Sequence, residues 1–220
     1  MVARRQVEDA TWSDALPSDE GAGVSRDERA RWDHRYASGD YVPRRRPAPF
    51  LLEWLDRIPV GRALDVATGT GRNAFALAEA GYEVDAVDIS TVAIERARAE
   101  SQRRGREVNW LVADLDSDAL PGDGYELITV LRYHNSRLWS RLESALAPNG
   151  WILIEHHLQT HRSDAVGPKH EEFRLAPGEL LRSFSDLRIV HYSESVEPND
   201  DGNAHFVIAS FAACAGDPGW

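Results

Sequence analysis

The residues best suited to chemistry stand in one run, Leu64-Asp65-Val66-Ala67-Thr68-Gly69-Thr70-Gly71-Arg72-Asn73-Ala74, followed downstream by Asp88 and Asp114. Glycines at a strand-to-helix turn let backbone approach a ligand closely, and a helix N-terminus offers unpaired N–H groups and a positive dipole. A nucleotide-type ligand follows. Asp88 lies 19 positions beyond Gly69, at the tip of the neighbouring strand, where a carboxylate can accept hydrogen bonds from both ribose hydroxyls.

The elements that must position these residues alternate strand and helix signals from Arg62 onward, as a parallel sheet wrapped by helices requires. Strands are expected at 62–66, 82–88, 108–112, 127–131 and 151–155, with helices at about 72–80, from the Ser90 cap to Gly105, and over 138–146. After a loop over 157–177 come a short helix at 179–183 and strands near 187–192 and 205–211. The connection between those last two strands is too short for a helical crossover, so they should run antiparallel. The fold class is α/β, a Rossmann-like doubly wound sheet, mostly parallel.

Two cofactors fit the loop. Gly69-x-Gly71-x-x-Ala74 satisfies the dinucleotide fingerprint with its permitted terminal alanine, which keeps an NAD-dependent oxidoreductase open. Three features favour S-adenosylmethionine. Asp65 ends the first strand, where a carboxylate can serve a cationic amino-acid group but would repel a pyrophosphate. Asp114 follows the third strand, placed to accept from an adenine amino group. The antiparallel finish leaves no room for a separate dehydrogenase domain.

On these residues, from about Trp32 to Phe211, the chain resembles the class I S-adenosylmethionine-dependent methyltransferases. The resemblance implies a seven-stranded sheet with the last strand inserted antiparallel. It also implies that Asp65, Gly69 and Gly71 line the methionine part, Asp88 the ribose, and Asp114 with Leu115 the adenine. Ala67, Ile89 and Arg132 complete the expected cofactor set, Ala67 standing where that family often has glycine. A cofactor-binding module without catalysis is the third reading.

The acceptor is less legible. After the fourth strand stands Leu131-Arg132-Tyr133-His134-Asn135, without the Asn/Asp-Pro-Pro-Tyr/Phe motif of enzymes that methylate amino groups on nucleobases or Gln, and no Pro-Cys pair is present. The Trp32-Asp33-x-Arg35-Tyr36 start, the Leu131-Arg132-Tyr133 run and Gly167-Pro168…Leu175-Ala176-Pro177-Gly178-Glu179-Leu180-Leu181 resemble the tellurite-resistance and thiopurine-type branch. That resemblance implies a small soft nucleophile, a chalcogen oxyanion, thiol or selenol, under a lid carrying Trp32, Tyr36 and Tyr41. Tyr133, His134, His156 and His157 are the candidates for substrate contact or general base, because both segments end at the ligand-binding edge. Arg44-Arg45-Arg46 is either an anion site at the mouth or a solvated loop. Adjacent strand residues face opposite ways, so His156 and His157 share a site only if the strand has ended, and no metal site is expected.

Composition bounds the rest. The 220 residues carry 36 Asp plus Glu against 25 Lys plus Arg, a net charge of -11. An acidic chain repels phosphate backbones, so a nucleic-acid partner is not expected. One cysteine, Cys214, excludes an intramolecular disulfide, and no stretch is long and apolar enough for a membrane span or a signal-peptide core, so a cytoplasmic protein is expected; that it acts on a small molecule is what the resemblance implies. All the basic residues except Lys169 are arginine, compatible with salt adaptation or with codon bias. Residues 1–30 read as a loosely ordered acidic arm and 31–220 as the catalytic domain. The arm and the 191–203 hairpin loop hold much of the acidic excess.

Overall fold

In a computed structural model, residues 24–39, 41–198 and 204–219 are described. In chain order the elements are α1 (Val24–Ser38), α2 (Pro49–Leu55), β1 (Arg62–Val66), α3 (Arg72–Glu79), β2 (Glu83–Asp88), α4 (Thr91–Arg104) and β3 (Asn109–Val112). There follow β4 (Tyr125–Leu131), α5 (Trp139–Ser144), β5 (Leu146–His157), β6 (Ala165–Val166), α6 (Glu179–Ser183), β7 (Arg188–Pro198) and β8 (His205–Cys214).

The sheet runs β3-β2-β1-β4-β5-β8, with β7 on β8 as well. Pairings among the first five strands are parallel, and β8 is antiparallel to both β5 and β7. The expected seven-stranded, mostly parallel sheet with an inserted antiparallel last strand is therefore present. The eighth strand, β6, was read as loop. It pairs in parallel with His205 and Phe206 where β5 has already ended its ladder at Ile208, so it completes an otherwise open stretch of β8.

Both faces of the sheet are covered, which is why Leu127–Leu131 of β4 and Trp151–Ile154 of β5 read as nearly unbroken apolar runs rather than alternating ones. Ala63, Leu127 and Leu153 pack with Phe50, Leu51 and Trp54 of α2 and Ala74, Phe75 and Leu77 of α3. Leu64, Val66, Ile128, Val130, Ile152 and Ile154 pack on the other side with Trp139 and Leu142 of α5 and Leu180 of α6. Truncating any of the fully buried leucines to alanine would cost about 2–5 kcal/mol.

The local signals act where expected in α4: Ser90 Oγ accepts from Ala93 N at 3.1 Å, and Gly105 closes the helix at φ 61°. β5 is longer than its apolar run because Leu146 pairs with Tyr125 across a register shift, where Asn149 turns the chain at φ 64°. At the other end of the chain, α1 begins at Val24, so a boundary at 31 falls inside a helix. That helix has no apolar periodicity to announce it. Residues 1–23 of the expected arm lie outside the described residues. Among those described, no helix is long and apolar enough to cross a membrane.

Candidate active site

The chain leaves β1 at Val66 and turns through three left-handed residues, Ala67 (φ 54°), Gly69 (φ 57°) and Gly71 (φ 86°), before α3 begins. Only at Gly69 and Gly71 is space the reason for glycine. A side chain on Gly69 would lie 2.8 Å from the Tyr36 hydroxyl, and one on Gly71 would collide with the Trp110 ring. Gly71 thus serves the packing of Trp110 and Phe75 behind the loop and does not face the cavity.

Asp65 is also behind the loop. It is 1% exposed, and its two oxygens accept from Thr68 Oγ1 at 2.5 Å and Thr129 Oγ1 at 2.7 Å. Burial raises its pKa, and the two hydroxyls oppose that rise. Its carboxylate clamps the loop to β4 instead of lining the cavity, a difference from the sequence expectation that arises because Thr129 is supplied by another strand. Asp88 is the next clamp: Oδ2 accepts from Gly69 N at 2.7 Å and Oδ1 from Ser90 N at 2.9 Å. Burial pushes its pKa up to about 6 despite those two bonds.

Between the carboxyl ends of β1, β2, β3 and β4 lies a cavity of about 180 Å3, where the strand order reverses between β1 and β4. This is where open α/β sheets bind ligands. Asp88, Ile89, Asp114 and Leu115 line one end of it. Asp114 is 5% exposed; its Oδ1 accepts from Asp116 N at 3.0 Å, while the buried Oδ2 has no partner. The roof is Trp32 and Tyr36 of α1 with Tyr41, whose rings meet at centroid distances of 5.2–6.0 Å. Asp33 fastens α1 down, accepting from Ser90 Oγ at 2.6 Å and Val92 N at 3.1 Å at the start of α4. Glu28, within the segment read as arm, also lines the cavity.

The opposite end is basic. Arg44, Arg72, Arg132 and His157 line it, while Tyr133 stands toward the acidic end beside Glu28, Asp114 and Asp116. Arg132 follows β4 at φ 71°, and its Nη2 meets Glu155 Oε1 at 3.0 Å. Arg44 and Arg132 both stand over the Phe206 ring, at 5.4 and 5.8 Å from its centroid, and the His157 ring lies 6.0 Å from it. Burial, with Arg132 next, depresses the His157 pKa to about 2, so its imidazole is neutral. Of the Arg44-Arg45-Arg46 run, only Arg44 faces the cavity.

Of the four catalytic candidates, Tyr133 and His157 line the cavity and the other two do not. His134 Nε2 meets Glu179 Oε1 at 2.9 Å and its Nδ1 the Glu172 carbonyl at 3.1 Å. Both its nitrogens face acceptors, which ties the segment after β4 to α6. His156 points to that same side, its Nε2 donating to the Phe173 carbonyl at 2.7 Å, and burial lowers its pKa to about 3. The strand continues through His157, so the two histidines part to opposite faces. Among the described residues, no group of His, Cys, Asp and Glu is arranged to hold a metal. Sequence reading missed Thr68, Thr129, Asp33, Glu155 and Phe206; each acts through a partner distant in sequence or, for Thr68, through a turn whose shape that partner fixes. A more open depression at the amino ends of β2 and β3, lined by Glu83, Arg98 and Asn109, is on the edge away from the loop.

Residues 63–150 match the methyltransferase domain family. The chain is similar to glycine N-methyltransferase of Mus musculus, 30% identical over 128 residues that cover 49% of this chain and 44% of the mouse protein. It thus spans less than half the length of that relative. TehB from Haemophilus influenzae superposes with a TM-score of 0.68 at 19% identity, over 83% of this chain and 66% of TehB. A structure described as the conversion of a disulfide bond into a thioacetal group during echinomycin biosynthesis superposes at 0.65 and 19% identity, over 84% and 92%. At such identity the superpositions speak to fold. Over residues 63–150 the chain is similar to a methyltransferase domain, and its described residues have the Rossmann-like fold of these solved structures.

Proposed function

We propose that this protein transfers a methyl group from S-adenosylmethionine to a small-molecule acceptor with a soft nucleophilic atom, a thiolate or a chalcogen oxyanion. The observation that carries the reading is one cavity gathering the glycine loop, Asp88 and Asp114 at the ends of three adjacent strands, β1, β2 and β3. That order suits an extended nucleoside with an amino-acid tail. Asp114 supports the fit, because its buried Oδ2 lacks a donor and an adenine amino group would supply one. Asp88 would hold the ribose, Ile89 and Leu115 the faces of the base, and the backbone from Ala67 to Thr70 the tail, with Asp65 adding its charge from behind the loop. When bound, the cofactor supplies a sulfonium methyl group, an electrophilic carbon.

The chain's own groups then decide what acceptor is suitable. A general base working near neutral pH is best tuned to a pKa near the operating pH. Tyr133 is pushed up to about 12 by burial, and His157 down to about 2. Asp88, at about 6, is spent on two backbone N–H groups at the far end. These values favour an acceptor that arrives deprotonated, with the chain contributing orientation and exclusion of water under the aromatic roof.

Calorimetry with S-adenosylhomocysteine and NAD tests the cofactor. Binding of the former alone is expected, and NAD binding without it would refute the reading. Turnover is then followed across thiol, selenite, amine and carboxylate acceptors. The thiols or selenite should be methylated first. A protein that binds S-adenosylhomocysteine yet methylates none of them is a binding module.

A further inference from the structure

Building on the methyltransferase reading, we propose that Arg132 anchors a carboxylate carried by the methyl acceptor, so that the acceptor is an organic acid held by its anionic group at the basic end of the cavity. Four observations lead there. The cavity runs across the strand ends in spatial order, with Asp114 after β3, Asp88 on β2 and the glycine loop after β1; Arg132 after β4 and His157 on β5 lie on the other side of that loop. A nucleoside and its amino-acid tail account for the first three positions. The last two are left for the second substrate.

Arg132 is held in a costly state. Left-handed backbone is strained at a residue with a side chain, and Arg132 adopts φ 71°. Its N–H donates to the Glu155 carbonyl at 2.8 Å while its Nη2 reaches the Glu155 carboxylate at 3.0 Å. One residue of β5 therefore fixes both its backbone and its guanidinium. Strain of this kind concentrates at ligand clamps.

The guanidinium also has donors to spare. Arg132 Nε and Nη1 are buried without an acceptor, and each such unmet donor carries an uncompensated desolvation cost. An anion drawn against this side chain relieves that cost. The surrounding charge is mostly positive: Arg44 and Arg72 line the same end, His157 is neutral, Glu155 is the buried carboxylate that Arg132 already uses, and the exposed Glu197 acts on it from outside the cavity lining.

The organic body follows from the lining. Leu131, Tyr41, Val42 and Pro43 give it apolar surface, and Phe206 lies behind Arg44 and Arg132 rather than in the lining. A bare inorganic oxyanion has no use for such a surface, whereas the hydrocarbon part of a thiol acid or similar acceptor does.

The test is a binding measurement that needs no turnover. Protein saturated with S-adenosylhomocysteine is titrated with methylthioacetate, with its alcohol analogue methylthioethanol, and with selenite, using wild type, Arg132→Gln and Arg132→Lys. Wild type should bind methylthioacetate at least tenfold more tightly than the alcohol or selenite. Arg132→Gln should erase that preference and Arg132→Lys retain part of it, while S-adenosylhomocysteine affinity stays within about twofold in both, which also reports that they fold. A tenfold loss of S-adenosylhomocysteine affinity in both variants would assign the arginine to the cofactor and overturn the proposal. So would wild-type protein that holds S-adenosylhomocysteine but shows no preference for the carboxylate, or prefers selenite. If wild type fails to bind S-adenosylhomocysteine at all, the methyltransferase reading itself falls and this inference with it.

Discussion

The half of the cavity under β2 and β3 is acidic and already hydrogen-bonded into shape, whereas the half bordered by β4 and β5 is basic and holds donors with no acceptor. Asp88 accepts from two backbone N–H groups, Gly69 and Ser90, so its carboxylate is aimed before any ligand arrives. Arg132 is aimed by a single residue, Glu155, and keeps Nε and Nη1 unmet. The first end can be preorganised because a common cofactor always has the same groups. The second is charged and partly unsatisfied, as a site is that completes itself with its substrate. The two ends also treat protonation differently: burial raises Asp88 to about 6, near where it ionises in use, and lowers His157 to about 2, where it never charges.

The largest expected effect separates the ends outright. On the proposed reading, Asp88→Ala removes an ionised acceptor for two ribose hydroxyls, worth about 3 kcal/mol together, so S-adenosylhomocysteine affinity should fall roughly 100-fold. Calorimetry on the purified variant checks it, and a loss under threefold would mean that the acidic end does not hold the nucleoside.

A smaller effect comes from the histidines of β5. Their folded pKa values, about 3 for His156 and about 2 for His157, lie below the usual value of 6.5. The unfolded chain therefore binds protons first as pH drops, so stability is full above about 6.5 and is lost as pH falls toward the folded values. Between pH 7 and pH 5 each histidine should remove about 2 kcal/mol. Urea melts at both pH values, on wild type and on His157→Asn, give the comparison. An acid loss unchanged in the variant would show that the basic end is not kept neutral in this way.

The smallest concerns the roof over the acidic end. Asp33→Ala takes away the acceptor for Ser90 Oγ and Val92 N, which costs about 1 kcal/mol as a lost cap does. Melting should drop by about 2–4 °C, and S-adenosylhomocysteine affinity should weaken by a few-fold as α1 loosens. Full affinity with the same drop in melting would make Asp33 a support for α4 alone.

Particular elements show what was legible in advance. The strands and helices from Arg62 to Val112 were readable because each is announced locally, by an apolar run, by Ser90 as a cap, or by Gly105 as a stop. β6 and the start of α1 were not, because one is a two-residue patch on β8 and the other a helix without a coherent apolar face. Within the site, Asp88 and Asp114 were legible as strand-end acids. Asp65, equally visible, turned out to face Thr129 across 64 residues of sequence.

The sequence by itself determined the order of strands and helices, the left-handed turn of the loop and the strand-end places of the acids, since these depend on periodicity, caps and glycine within a few residues. Tertiary structure decided which of those groups face the ligand. Thr129 drew Asp65 behind the loop, Glu179 and the Phe173 carbonyl drew His134 and His156 away, and Glu155 held Arg132 toward the cavity. A side chain's direction and charge state are set by the hydrogen-bond partners and burial it meets from other strands, and those exist only once the sheet has closed.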